Sequence, residues 1–187
     1  MAYTVKEYTI PAGDGGTRAT LGMMYALIVA ASKHPNVRDM AMKIMRTDKL
    51  KPSTSIYALR EWIRLVVPFV RDPLTAEALT DPVAMIARIE QHGRAPGDCD
   101  DVAMLAAAMA LAVGFRTRLA VVGFRNTAPL PLAGGIDTLD PFLHIWCEVA
   151  PPTGTLVWTE LDTTRPMQRV PLDALSRVWI VPIPREG

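Results

Sequence analysis

Cys99, His144 and Asp162 are three residues whose types could do chemistry together. Cys99 lies in "RAPGDCDDVAMLAAAMALAVGF", at the seam between a Pro-Gly turn and a long apolar run. A thiol must become a thiolate to attack a carbonyl, and a helix N-terminus favours the anion. Asp98, Asp100 and Asp101 work against it, because nearby carboxylates raise a thiol's pKa. Asp100 and Asp101 are also ordinary first-turn residues, and Asp98 or its neighbour is expected to cap the helix. The conflict eases if a histidine takes the proton and holds the thiolate as an ion pair. The bland alternative for Cys99 is a small buried hydrophobe at a helix start.

The chain has three histidines. His34 falls in a helix-to-helix turn and reads as a surface residue. His92 is near Cys99 in sequence but lies in a Gly-containing loop, from which it would need an unusual reversal to reach the sulfur. His144 sits inside the apolar strand pattern "FLHIWCEV", where an unpartnered imidazole is costly. A core histidine with one hydrogen bond is the other reading of His144, and it stays open at this level. Asp162 ends the next strand, in "WTELDTTRP". Two strands joined by a tight turn are antiparallel neighbours, so the end of the second lies beside the start of the first. That places Asp162 next to His144, where a carboxylate fixes the tautomer and stabilises the imidazolium.

The elements that must position these residues follow from period and punctuation. Thr17 can cap a helix running to about Lys33, with "GDGG" (13–16) as a turn before it. A second helix restarts after Pro35. Ser53 or Ser55 can cap a third, with Ile56, Leu59, Ile63 and Val66 at helical spacing. "DPVAMIARIE" is a fourth, with Pro82 in its first turn. The helix after Cys99 is apolar on nearly every side, which calls for protein all round it, and Gly114 stops it. Strand patterns then occupy 116–124, 142–149 and 155–161, with "PPTG" (151–154) linking the last two. The proline- and glycine-punctuated stretch 125–141 reads as a loop. A last strand at 177–184 belongs at a sheet edge because of Pro182. Helices first and strands later predict an α+β fold with a mainly antiparallel sheet.

The chain's 187 residues allow one sizeable core, and a single domain over 1–187 is expected, with 1–53 as a helical N-terminal extension and 54–184 as the core. A formal charge of +1 gives no field favouring nucleic acid or anionic membrane. Two cysteines do not make a disulfide framework, so Cys99 and Cys147 read as free thiols in a reducing, cytoplasmic setting. The apolar stretch 19–32 is too short to span a bilayer and lacks a basic lead-in. Cys147 lies three residues after His144 and faces the other side of the sheet, so it reads as core. The same parity argues against a zinc site, and no metal or other cofactor is expected. Trp146 and Glu148 share His144's face, and Trp146 is placed to wall the cleft. The methionines of 23–45 read as core, or else as a surface for assembly with a protein partner.

"GDCDDVAMLAAAMALAVGFRTRLAVV", "HIWCEV" and "WTELDTT", in that order, resemble the transglutaminase-like superfamily, a branch of the papain-like cysteine enzymes. "FVRDP", "ARIEQHGRAPGDCDD" and the opening "TIPAGDGGTRATL" are similar to its bacterial and bacteriophage members. The resemblance implies Cys99 as nucleophile, His144 as general base and Asp162 as orienting carboxylate. The backbone N–H of Cys99 would be one oxyanion donor, and Gln91 is a candidate second by proximity alone. Thr163 stands where the family often has proline. The implied activity is acyl transfer on peptide or amide substrates, by a protease, amidase or transamidase. The rival expectation is a non-catalytic structural or interaction protein, such as a phage virion or assembly component, that keeps the fold.

Overall fold

The computed structural model describes residues 9, 13–47, 52–72, 78–124, 142–154, 156–164 and 175–184. The stretch 125–141, expected as a loop, lies outside them. Five helices come first: α1 (Gly13–Ser32), α2 (Pro35–Thr47), α3 (Pro52–Val66), α4 (Pro82–His92) and α5 (Cys99–Ala112). Four strands follow: β1 (Arg116–Phe124), β2 (Phe142–Ala150), β3 (Thr159–Glu160) and β4 (Leu175–Ile183). The sheet order is β3-β2-β1-β4 with every pairing antiparallel. The chain is α+β, as helices followed by strands predicts.

The alanine-rich α5 is the centre of the molecule. It packs on β2 and β1 on one side and on α1 to α4 on the other. Met104, Leu105 and Met109 are fully enclosed, as are the alanines at 106, 107, 108 and 110. Small side chains let the sheet and the surrounding helices approach from several directions at once. The strands show why this helix sits where it does: Leu119, Val121, Ile145, Cys147 and Val149 join the helices in one core. Residues between them on β2, namely His144, Trp146 and Glu148, are only half-buried and point to the opposite face.

The boundaries differ from expectation in three places. α1 starts at Gly13, not after Thr17, so "GDGG" is its first turn. Gly13 takes a φ of 65°, open to glycine without strain, and the Thr17 hydroxyl donates back to the Gly13 carbonyl at 3.4 Å instead of capping. α3 begins at Pro52, ahead of the two serines expected to cap it. β3 is two residues long and not the seven of 155–161; Leu156 and Val157 lie exposed outside the ladder. Pro151 and Pro152, at the end of β2, have no N–H to donate, so pairing cannot begin there.

α4 is capped by the Asp81 carboxylate, which accepts the Val83 N–H at 2.8 Å, with Pro82 in the first turn as expected. β4 is an edge strand and carries Pro182. Met24 is buried and Met40 and Met45 pack against the core, in line with the core reading of the methionine-rich segment. His34 is half-buried, and its Nδ1 accepts the Asn36 N–H. Among the described residues, no helix is long and apolar enough to cross a membrane.

Candidate active site

Cys99 is the first residue of α5, half-buried and packed against the edge of the core. Its approach is fixed by backbone pairing. The Ala95 N–H donates to the Val66 carbonyl at 2.9 Å, where α3 ends. Gly97 then bridges Phe69, donating to the Pro68 carbonyl at 3.2 Å and accepting from the Val70 N–H at 3.0 Å. The turn before the cysteine is therefore held against the end of α3 by three hydrogen bonds.

The acids around Cys99 behave differently from one another. Asp98 occupies the cap position but makes no side-chain cap bond. Within the first turn the Asp100 carboxylate accepts the adjacent Asp101 N–H at 2.8 Å, so the side-chain cap expected of Asp98 is not made. Asp101 turns inward and accepts the Thr80 N–H at 2.7 Å, with the Thr80 hydroxyl 3.4 Å from its other oxygen. Burial pushes the Asp101 carboxyl up to about 7, against the Thr80 hydrogen bonds and with help from the charges of Asp98 and Asp72. Near neutrality, then, Asp101 carries only part of a negative charge. This lessens the conflict between an acid-rich first turn and a thiolate.

A stability prediction follows from Asp101. A carboxyl whose pKa is raised by folding binds a proton more tightly in the folded state, so it erodes stability as pH rises from about 4 to 7. Asparagine reproduces the protonated form, accepting from the Thr80 N–H and donating to its hydroxyl. The stability gain of Asp101→Asn over wild type should therefore be larger at pH 8 than at pH 5 by about 2–3 kcal/mol. Urea unfolding of both proteins at the two pH values tests this; a gain independent of pH would refute it.

His144 and Asp162 meet as the hairpin argument expected. The Nε2 of His144 is 2.7 Å from Oδ2 of Asp162, and both side chains are largely buried. Asp162 is positioned from three sides. Its backbone follows Leu161, whose N–H donates to the Cys147 carbonyl at 2.9 Å. Its Oδ1 accepts the Thr164 N–H at 2.9 Å and the Thr164 hydroxyl at 2.8 Å. Its carbonyl accepts from Nε of Arg60, on α3, at 3.2 Å. Burial alone would raise the Asp162 carboxyl, but the hydrogen bond and charge of His144 and the two bonds from Thr164 outweigh it and hold the group below its ordinary value. An ionised carboxylate can only accept, so Nε2 of His144 carries the proton and Nδ1 is left as the basic nitrogen of the neutral ring.

Trp146 lies on the same face, its ring 5.7 Å from that of His144 and tilted by 31°. Its indole N–H donates to Glu148 at 3.3 Å. Glu148 is in turn paired with Arg118 at 2.6 Å, and the Arg118 guanidinium covers the Trp158 ring at 4.1 Å. Gln91 and His92 are both exposed on the last turn of α4, so His92 belongs to a helix and not to a loop. Cys147 is fully enclosed, and burial, with the Glu148 charge, pushes its thiol far above the ordinary range.

Arg60, Thr80 and Thr164 were not singled out from the sequence. Thr164 was legible in principle, because a hydroxyl two residues after an aspartate is a common partner for its carboxylate. Arg60 and Thr80 act across 102 and 21 residues, and nothing in their local sequence marks them.

A family model of the transglutaminase-like superfamily matches residues 38–163. No curated protein sequence matches the chain. A crystal structure of a candidate cysteine protease from Cytophaga hutchinsonii is similar at 19% identity, with a TM-score of 0.49 over 87% of this chain. The match covers 46% of that protein, so this chain spans under half of its length. The family match takes in well over half of the chain, including Cys99, His144 and Asp162, and the chain belongs to the transglutaminase-like superfamily.

Proposed function

We propose that this protein is a cysteine-dependent acyl-transfer enzyme acting on peptide or protein amides, with 1–187 as one catalytic domain. The observation that carries the reading is the His144–Asp162 pair: an ionised carboxylate on Nε2 leaves Nδ1 to take a proton. The placement of Cys99 at the start of α5 supports it, because helix N-terminal N–H groups favour the thiolate and the oxyanion that follows.

In this mechanism the Cys99 thiol gives its proton to Nδ1 of His144, and the sulfur attacks the amide carbonyl carbon. A C–S bond forms and the carbonyl π pair moves onto oxygen, which rests against the N–H of Cys99, with Gln91, exposed on the last turn of α4, as the candidate second donor. Collapse breaks the C–N bond, and the imidazolium protonates the departing amine. Water or a second amine then displaces the sulfur from the thioester. The acceptor decides between hydrolysis and transamidation, and Trp146, beside His144 on the same face, walls the cleft.

The test is the pH dependence of alkylation by iodoacetamide. An ordinary thiol loses about tenfold in rate per pH unit below about 8, whereas an ion-paired thiolate reacts at a nearly constant rate from pH 5 to 7. Relative to a free thiol of pKa about 8.5, one of pKa about 4 gains about 3000-fold in thiolate at pH 5 and loses about 100-fold in intrinsic nucleophilicity. His144→Ala should therefore slow alkylation at pH 5 by about 30-fold, and Cys99→Ser should abolish it, since Cys147 is enclosed and protonated. A tenfold-per-unit profile in wild type, indifferent to His144→Ala, would leave a non-catalytic interaction protein as the better account.

A further inference from the structure

The proposed machinery is divided between two layers. Cys99 belongs to the helical layer, at the start of α5, while His144 and Asp162 belong to the sheet and its margin. A proton can pass between sulfur and imidazole only if the two layers are held in register to a fraction of an ångström. β3 offers little help, since it pairs with β2 only at Glu160 and Thr159. Thr164 cannot provide the register either, because it bonds the Asp162 carboxylate from the same loop and moves with it.

α3 touches both halves. Its Val66 carbonyl and the following Pro68 and Val70 hold the Ala95–Gly97 turn that leads into Cys99. Arg60, six residues earlier on the same helix and about 9 Å along its axis, donates from Nε to the carbonyl of Asp162. Leu59 and Ile63, on either side of Arg60, are fully buried in the core, so the helix is anchored where the arginine leaves it. A guanidinium is always charged and its Nε–H direction is fixed by the planar fork, which suits a strut better than a flexible ammonium.

We infer that Arg60 is a positioning residue, and that α3 is the ruler that sets the cysteine-bearing turn against the His144–Asp162 pair. The inference rests on the acyl-transfer reading for its kinetic consequence, though its structural part can be measured separately. Arg60 touches no reacting atom; it acts through the backbone of Asp162. A shift of about 1 Å in that backbone is enough to cost about 100-fold in a reaction that depends on alignment.

The experiment compares Arg60→Met, Arg60→Lys and wild type by three readouts: iodoacetamide alkylation at pH 5, the NMR signal of the His144 Nε2 proton, and thermal unfolding. Arg60→Met is expected to slow alkylation at pH 5 by about tenfold, to broaden or shift the His144 Nε2 proton signal, and to remain folded at the assay temperature. Arg60→Lys is expected to restore part of both. In a His144→Ala background, Arg60→Met should have no further effect on alkylation, since the group through which it works is gone. A folded Arg60→Met protein with unchanged alkylation and an unchanged His144 signal would overturn the inference, as would an equal slowing in the His144→Ala background. Should Arg60→Met fail to fold, Arg60→Gln carries the same readouts. If wild-type alkylation ignores His144, the acyl-transfer reading fails by itself, and the Nε2 proton signal still decides whether Arg60 positions the pair.

Discussion

Asp162→Asn is expected to reduce amide turnover by about three orders of magnitude while leaving the fold intact. The reason lies in Thr164. Its backbone N–H donates to Oδ1 of Asp162 at 2.9 Å, and an amide placed there must keep its oxygen toward that donor. The amide nitrogen then occupies the position of Oδ2, 2.7 Å from Nε2 of His144. Two donors cannot face each other, so the neutral imidazole is forced to carry its proton on Nδ1 and to present no base to the sulfur. An asparagine is compatible with such chemistry only where its oxygen faces the ring, and Thr164 forbids that here. Thr164→Val in the Asp162→Asn protein removes the hydroxyl but not the N–H, so it should recover little. The measurement is single-turnover acylation with an activated amide or ester, alongside unfolding curves. A loss below about fivefold would show that Asp162 does not set the tautomer.

The second large effect concerns stability. Gly97→Ala is expected to destabilise the protein by about 2–3 kcal/mol. A methyl group at Gly97 would lie 2.8 Å from Cβ of Asp101, 2.9 Å from its Oδ2 and 2.9 Å from Cε of Met85. The methionine end can swing away, but Cβ of Asp101 is fixed to the α5 backbone and can retreat only if the helix moves. Retreat is resisted by the Thr80 bonds on Asp101 and by the pairing of Gly97 with the Pro68–Val70 segment. The cost is steric and not conformational, since Gly97 is absent from the positive-φ glycines. Gly22→Ala, in the middle of α1 with nothing within 4 Å of the added carbon, should instead stabilise by about 0.5–1 kcal/mol. Chemical denaturation of the two variants beside wild type measures the contrast; similar midpoints for both would refute the packing argument.

These cases show which parts of the molecule were legible in the sequence. α5 could be read because its apolar surface has no polar side, and β1 and β2 because β-branched and aromatic residues are frequent between turn signals. The hairpin logic placed Asp162 beside His144 from strand direction alone, even though β3 is far shorter than its pattern suggests. The two prolines after β2 delay pairing, and pattern cannot show where a ladder starts. The start of α1 was misplaced because a threonine looks the same as a cap or as a residue bonding back one turn. Arg60 and Thr80 could not be found at all: each makes its bond to a residue far along the chain, and such partnerships leave no periodic trace. Asp98, Asp100 and Asp101 were visible as a conflict with the thiol, but the burial that keeps Asp101 partly protonated belongs to the folded state.

Cys147 has a consequence for how the protein would respond to peroxide. If the Cys99 sulfur is oxidised to a sulfenic acid, trapping it as a disulfide within the molecule needs a neighbouring thiolate to condense with it. The chain's other thiol, Cys147, is enclosed and held protonated, so no internal disulfide can trap that first oxidation product. Reactivation would then depend on a small thiol from outside, and prolonged oxidant exposure would carry the residue on to the irreversible sulfinic and sulfonic acids.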